Sequence, residues 1–180
     1  YCPAQNLYVD GGAYGEAWER ALSPMLPRQR TGVVVLRDYH AKNIMLLGSL
    51  QKQGLLDFQD ALIGHRAYAL VSLLQDARRD VAPALEQDMI AHYLRQTGLP
   101  EDEFKADYAR IGAQRNAKIV GIFVRLWKRD GKPRYLDLIP RVWALLERDL
   151  AHPALEPVAR WFADNVPSGL RASGGGSFAA

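Results

Sequence analysis

A short polar stretch between two apolar runs carries side chains suited to acid–base and metal chemistry. In VVVLRDYHAKNIMLL, residues 33–47, Asp38 and Asn43 stand five positions apart with His40 between them. A further carboxylate, Asp57, closes the run GLLDF fourteen positions after Asn43. Phosphoryl transfer from a nucleotide requires one carboxylate that orients a hydroxyl, and an amide and a second carboxylate that hold Mg²⁺ against the phosphates. The alternative is a polar turn whose Asp and Asn cap local backbone groups.

These side chains depend on a small β-rich segment for their positions. The runs VVVL, IMLL and GLLDF predict three short strands, and GSLQKQG between the last two predicts a hairpin connection. Such a hairpin would bring Asp57 close to Asn43. Residues 13–22 predict a helix, and after Gly64 the apolar spacing stays helical as far as residue 165. The sequence therefore predicts an α+β chain that is mostly helical, with a small β-hairpin carrying the polar loops.

Composition excludes several classes of function. The chain has 180 residues, 48% of them hydrophobic and 24% charged, which fits one globular domain with a core. Its net charge is only +3 and the basic residues are interleaved with acidic ones, so nothing indicates a nucleic-acid partner. No apolar run approaches the roughly 20 residues of a membrane helix, and no membrane partner is expected. The single cysteine, Cys2, fits a reducing, cytoplasmic setting.

The polar loops resemble those of a known family. LRDYHAKN followed by LLDFQDA is similar to the catalytic and metal-binding loops of the aminoglycoside phosphotransferase-like family, which has a kinase-like fold. The family has a histidine two places after its catalytic Asp, where protein kinases usually have lysine, and His40 matches it. The resemblance implies a small-molecule kinase that uses ATP and Mg²⁺. It also implies that Asp38 is the catalytic residue and that Asn43 and Asp57 bind the metal and, through it, ATP.

The resemblance extends over roughly residues 13–165. DFQDALIGHRAYALVSLLQDAR, QRNAKIVGIFVRL and KPRYLDLIPRVWALLERDL are similar to bacterial kinases that phosphorylate N-acetylmuramate and N-acetylglucosamine at the anomeric hydroxyl. This branch implies transfer of the γ-phosphate of ATP to a cell-wall amino sugar. Two alternatives stay open: an aminoglycoside or choline-type kinase, whose acceptor is an amino alcohol or amino sugar cation, and a degenerate kinase-like binding module without activity.

Three departures from the family pattern motivate the second alternative. Leu36 stands where the family has a histidine that braces the loop, and Ala69 where it has an Asp that anchors the loop backbone. No Gly-rich loop and no strand with a nucleotide-binding Lys precede Asp38. We therefore expect residues 1–166 to be a kinase-like C-terminal lobe whose N-terminal lobe is a missing partner, and residues 167–180 to be a flexible tail. Alone, this lobe should be inactive.

Four further side chains are candidates for contact with the substrate, and each has a structural alternative. A histidine beside a strand is more often a hydrogen-bonding residue than a reactive one. An Asp shortly before a helix often caps it, and a charge cluster at a helix end is most often solvated. An Arg on an apolar helix either pairs with an acidic residue or turns into a cleft, where it could bind a lactyl carboxylate. The four candidates, in that order, are His40, Asp60, Asp76 and Arg115.

Overall fold

The computed structural model describes residues 1–29, 32–49 and 51–178. The chain divides into two compact units, which we call the central unit (Met25–Tyr108) and the terminal unit (Tyr1–Pro24 together with the chain from Ala109 onward). The chain is mostly helical, and its few strands all lie in the central unit. The expected α+β composition with a dominant helical part is confirmed.

The central unit contains four short strands and the helices that follow them. Its elements, in chain order, are α2 (Leu26–Gln29), β1 (Val33–Val35), β2 (Ile44–Ser49), β3 (Lys52–Leu55), β4 (Leu62–Gly64), α3 (Ala67–Leu74), α4 (Pro83–Thr97) and the beginning of α5 (Glu101–Asp130). Proline at the first turn of α4 and Gly98 in the left-handed conformation after its last turn set the ends of that helix. Buried apolar side chains of β1, α3, α4 and α5 form the core of this unit.

The strands pair as two separate antiparallel sheets. The hairpin β2–β3, which was expected from the sequence, has the register Ile44↔Leu55. Its second strand differs from the expected run GLLDF, because β3 begins at Lys52, inside the predicted connection, and ends at Leu55. Strand β1 pairs instead with β4, in the register Val35↔Leu62. The sequence analysis missed β4, because LIG is only three residues long and its partner lies about thirty positions earlier in the chain. β1 thus pairs with a strand distant in sequence, and the hairpin β2–β3, which lies between β1 and β4 in the chain, forms a second two-stranded sheet.

The regular structure of the terminal unit is entirely helical as far as residue 178. Its helices are α1 (Gly11–Leu22), the later part of α5, α6 (Ile139–Leu150), α7 (Glu156–Asn165) and α8 (Ser168–Ala172). Asp10 caps α1 by accepting a hydrogen bond from the Ala13 amide at 2.9 Å. The backbone of Asp10 also accepts the indole N–H of Trp161 at 2.9 Å, which ties α1 to α7. Trp143 and Leu146 of α6 lie almost fully buried in the core of this unit.

Residues 168–178, which belong to the expected flexible tail, contain a short helix and make contacts with the rest of the terminal unit. Ser168–Ala172 form α8, and the Arg171 guanidinium binds the Glu147 carboxylate of α6 through two hydrogen bonds of 2.8 and 2.7 Å. The Gly175 carbonyl accepts a hydrogen bond from the Tyr1 hydroxyl at 2.9 Å. The flexibility expected from the small residues of this segment stays a prediction. Residues 179 and 180 lie outside the described residues. Within residues 1–29, 32–49 and 51–178, no helix combines the length and apolarity that crossing a bilayer demands.

Candidate active site

Asp38 lies in the loop that leads from β1 into a 3₁₀ turn formed by Ala41–Asn43. Its carboxylate is exposed, while its backbone carbonyl is held by two donors. These donors are the His40 amide at 3.0 Å and the Asn43 side-chain amide, also at 3.0 Å. The Asn43 backbone N–H in turn donates to the His40 carbonyl at 2.9 Å. The loop is thus closed on itself and presents the Asp38 carboxylate to solvent.

The hairpin β2–β3 brings Asp57 to this loop. The Leu56 amide donates to the Asn43 carbonyl at 2.9 Å, which continues the pairing one step past the Ile44↔Leu55 register. Asp57 follows directly, and its Oδ2 lies 3.4 Å from Asn43 Nδ2. Asp57 has a positive φ of 58°, a conformation that non-glycine residues adopt at a cost and that is common at functional sites. The structure therefore brings together all three residues of the predicted loop set.

Asn43 and Asp57 are suited to Mg²⁺. Both neighbours of Asn43 Nδ2 are oxygen acceptors, which assigns the NH₂ group to that side and leaves Oδ1 of Asn43 available as a metal ligand. Within the described residues no three His, Cys, Asp or Glu side chains gather as a metal cage. Two protein oxygen ligands can still bind Mg²⁺, because this ion commonly takes one or two carboxylates and completes its coordination shell with phosphate oxygens and water.

His40 and Asp60, two of the candidate substrate contacts, lie near this loop pair. His40 is half-buried, and its Nδ1 is buried without a hydrogen-bond partner among the described residues. Asp60 is exposed, and its carboxylate lies 3.8 Å from the Arg37 guanidinium in a solvent-screened ion pair. Leu36 stands at the position where we expected the histidine of the family. Its backbone carbonyl accepts a hydrogen bond of 2.6 Å from the Asp38 backbone N–H. A role for His40 or Asp60 in substrate binding stays a prediction.

Asp76 is buried, and the expectation of a solvated charge cluster is wrong for this residue. Its exposed fraction is 3%, and its Oδ1 accepts the Arg78 amide at 2.9 Å. Helix α3 ends at Leu74, so the chain turns before Asp76 and carries the carboxylate inward. Arg78 and Arg79, which follow Asp76 in the same charge cluster, are exposed. Contact of Asp76 with a sugar hydroxyl stays a prediction.

Arg115 belongs to the terminal unit, on the later part of α5. It is buried, and the neighbouring Asn116 donates to the buried Asp149 carboxylate of α6 at 3.1 Å. Arg115 and Asn116, two polar residues of this otherwise apolar helix, are thus buried in the terminal unit rather than exposed. Binding of a lactyl carboxylate by Arg115 stays a prediction.

The sequence analysis missed a buried charge cluster in the central unit. Asp107 of α5 accepts two hydrogen bonds of 2.7 Å from the Arg28 guanidinium and lies 3.1 Å from His65 Nε2. The Ala67 amide donates to His65 Nδ1 at 3.2 Å, so Nε2 carries the proton and donates to Asp107. This hydrogen bonding with Asp107 raises the pKa of Arg28. No sequence signal pointed to the cluster, because its members lie far apart in the chain, on α2, on α5 and in the link between β4 and α3.

Two loops that carry Asp, Asn and Asp on a mostly helical chain are what the resemblance to a phosphotransferase family leads us to expect, and the comparison with known families shows which family this is. The model of the phosphotransferase enzyme family matches residues 4–112, more than half of the chain, and the chain belongs to this family. This finding confirms the resemblance noted from LRDYHAKN and LLDFQDA.

The chain is also similar to individual members of this family. The N-acetylmuramate/N-acetylglucosamine kinase of Caulobacter vibrioides is 40% identical over 169 residues, which are 91% of this chain and 46% of the relative. The proteins of the same name from Neisseria meningitidis and Pseudomonas putida are 39% and 36% identical, over 74% and 78% of this chain and 42% and 43% of their own lengths. The chain thus spans about half the length of the curated relatives it matches, and corresponds to their C-terminal part.

Proposed function

We propose that this chain carries the catalytic and metal-binding loops of a kinase that transfers the γ-phosphate of ATP to a hydroxyl of an amino sugar. The proposal rests on one observation: the Asn43 side-chain amide lies 3.0 Å from the Asp38 carbonyl and 3.4 Å from the Asp57 carboxylate. Those contacts tie the backbone of the residue that carries the Asp38 carboxylate to Asn43 and Asp57, and these are the three residues that phosphoryl transfer would use. The names of the relatives favour N-acetylmuramate or N-acetylglucosamine as the acceptor.

Each of the three residues has a separate task in this proposal. The exposed Asp38 carboxylate orients the acceptor hydroxyl and takes its proton as transfer proceeds. Asn43 Oδ1 and the Asp57 carboxylate would hold Mg²⁺. The ion, when bound, neutralises charge on the phosphate oxygens and aligns them for transfer. The hydrogen bonds of Asn43 to both loops keep the proton acceptor and the metal ligands in register before substrate arrives.

The kinase-like fold of residues 1–166 as a C-terminal lobe is part of this proposal. Large apolar side chains are exposed on and beside the strands of the central unit, where a monomer rarely gathers so many. They are Val33, Val34, Met45, Leu46, Leu47, Leu55, Leu56, Phe58, Leu62 and Ile63. We propose that the part of the polypeptide equivalent to the unmatched half of the relatives covers them and completes the ATP site. The present chain alone would then be inactive, and the single free thiol of Cys2 fits a cytoplasmic enzyme.

Phosphate transfer by the full-length product of the gene tests the proposal. The wild type and the Asp38→Ala variant are assayed with Mg²⁺-ATP against amino sugars, aminoglycosides and choline. We expect transfer to an amino sugar and a loss of about 10²- to 10⁴-fold in kcat for the variant, the range that a positioned acid or base contributes. Asp102→Asn, an exposed carboxylate in the first turn of α5, is the matched control and should retain full activity.

The other outcomes separate the alternatives. Transfer to aminoglycosides or choline instead of amino sugars would replace the acceptor and keep the kinase. Binding of Mg²⁺-ATP without transfer to any acceptor would favour the degenerate binding module, which Leu36 and Ala69 motivate. Unchanged turnover in Asp38→Ala would contradict the role given to the loop.

A further inference from the structure

The peptide unit between Arg37 and Asp38 is hydrogen-bonded at both of its polar atoms. Its N–H, from Asp38, donates to the Leu36 carbonyl at 2.6 Å, two residues back. Its C=O, from Arg37, accepts a hydrogen bond of 3.2 Å from the Ser72 hydroxyl of α3. The unit that leads directly into the Asp38 side chain is therefore fixed in orientation from two sides.

The first of these contacts belongs to a strained turn. Arg37 has a φ of +59°, and a hydrogen bond that spans two residues across a central residue of positive φ is the rare, strained form of the γ-turn. Such a turn persists only where its surroundings hold it. The Arg37 side chain gives little help, because its ion pair with Asp60 is long and exposed.

Ser72 is positioned to stabilise this strained turn. It is fully buried, between Val71 and Leu74, whose side chains anchor α3 in the core of the central unit. A rigid, packed helix thus directs a hydroxyl to a backbone carbonyl 35 positions earlier in the chain. Ala69, one turn before Ser72 on the same side of α3, has no side-chain group that could make such a contact.

We propose that Ser72 is a positioning residue for Asp38. By holding the Arg37 carbonyl it stabilises the γ-turn and fixes the direction of the Asp38 carboxylate toward the acceptor hydroxyl. This inference rests on the proposed function of Asp38. In the proposed function Ser72 contacts neither the nucleotide nor the metal, so loss of its hydroxyl should slow the chemical step and leave the affinity for ATP unchanged.

Kinetics of the full-length enzyme give the first test. Ser72→Ala should lower kcat by about 10- to 100-fold, as expected for a misplacement approaching 1 Å, while KM for ATP changes less than about twofold. Ser72→Thr retains the hydroxyl and should restore most of kcat. Ser23→Ala is the control, because it removes an exposed hydroxyl that donates to the Glu19 carbonyl of the preceding helix α1, and it should leave kcat unchanged.

A second measurement needs no activity. Amide hydrogen exchange on the 180-residue chain should show the Asp38 amide exchanging at least about fivefold faster in Ser72→Ala, with the Val35 amide of β1 unchanged. If the wild type transfers no phosphate, the proposed function fails and the exchange measurement alone decides the placement of Ser72.

Two results would overturn the inference. One is an unchanged kcat together with unchanged exchange at Asp38. The other is a loss of kcat that Ser72→Thr does not restore while exchange accelerates equally at Asp38 and Val35, since that pattern belongs to general destabilisation of the unit.

Discussion

Replacing Asp107 by alanine should destabilise the central unit strongly, because three hydrogen bonds converge on its carboxylate. Asp107 is 1% exposed and accepts two bonds of 2.7 Å from Arg28 and one of 3.1 Å from His65. Without the carboxylate, the buried His65 Nε2–H has no acceptor, which costs about 1–3 kcal/mol. The Arg28 side chain is 31% exposed and keeps its ion pair with Glu103 at 3.3 Å. Loss of its bonds to Asp107 should therefore lower the free energy of unfolding by only about 1 kcal/mol.

The sum, about 3 kcal/mol, lies at the low end of the roughly 3–5 kcal/mol found when one partner of a buried ion pair is removed. For a chain of this length it corresponds to a decrease in Tm of about 6–12 °C. Urea unfolding followed by circular dichroism measures the free energy of unfolding. Asp107→Asn retains one carbonyl acceptor and should lose about half as much.

Glu103→Gln is the matched control for this series. It removes the exposed carboxylate that also faces Arg28, and the expected change is below about 0.5 kcal/mol. A loss below about 1 kcal/mol for Asp107→Ala, or one no larger than that of Glu103→Gln, would refute the reasoning that burial makes this cluster expensive to break.

Three further predictions concern other parts of the chain. Arg171 lowers the pKa of Glu147, so the stabilisation from this pair is present above the unfolded pKa near 4.5 and lost as pH falls through the folded pKa. Urea titrations should therefore show a constant difference between wild type and Glu147→Gln at about pH 6–8 that shrinks in acid. Leu146→Ala, in the core of α6, should cost about 2–5 kcal/mol in thermal unfolding, against less than about 0.5 for the exposed Leu85→Ala. Gly98→Ala should cost about 1 kcal/mol, because φ is +66° there, and Gly98→Asn should cost less in the same assay.

The contact between Asn43 and Asp57 could be predicted from the sequence because it follows from local structure. The runs on either side of GSLQKQG predict a hairpin, and a hairpin necessarily places the residue before its first strand beside the residues after its second. The register Ile44↔Leu55 and the contact of 3.4 Å agree with that argument. The residue types at Asp38, Asn43 and Asp57 then indicate the chemistry.

Features that depend on long-range packing could not be predicted. Strand β4 exists through its pairing with β1, and LIG carries too few residues to show a period of two. Asp76 is buried because α3 ends at Leu74, and helix ends are the least certain part of a sequence-based prediction. The packing of the tail depends on the pair of Arg171 with Glu147, whose members are 24 positions apart. No periodicity reports such contacts.

The γ-turn at Arg37 has a consequence for how this loop can vary in evolution. The turn is held through its own main-chain atoms, the Asp38 N–H and the carbonyls of Leu36 and Arg37. Substitutions at position 37 should therefore be limited by the backbone conformation that they allow, and hardly by their side-chain chemistry. Glycine and asparagine, which accept a positive φ readily, should accumulate there without harm, whereas valine and isoleucine should be purged. The guanidinium of Arg37 should thus be replaceable, because the constraint on this loop acts on the Arg37 carbonyl.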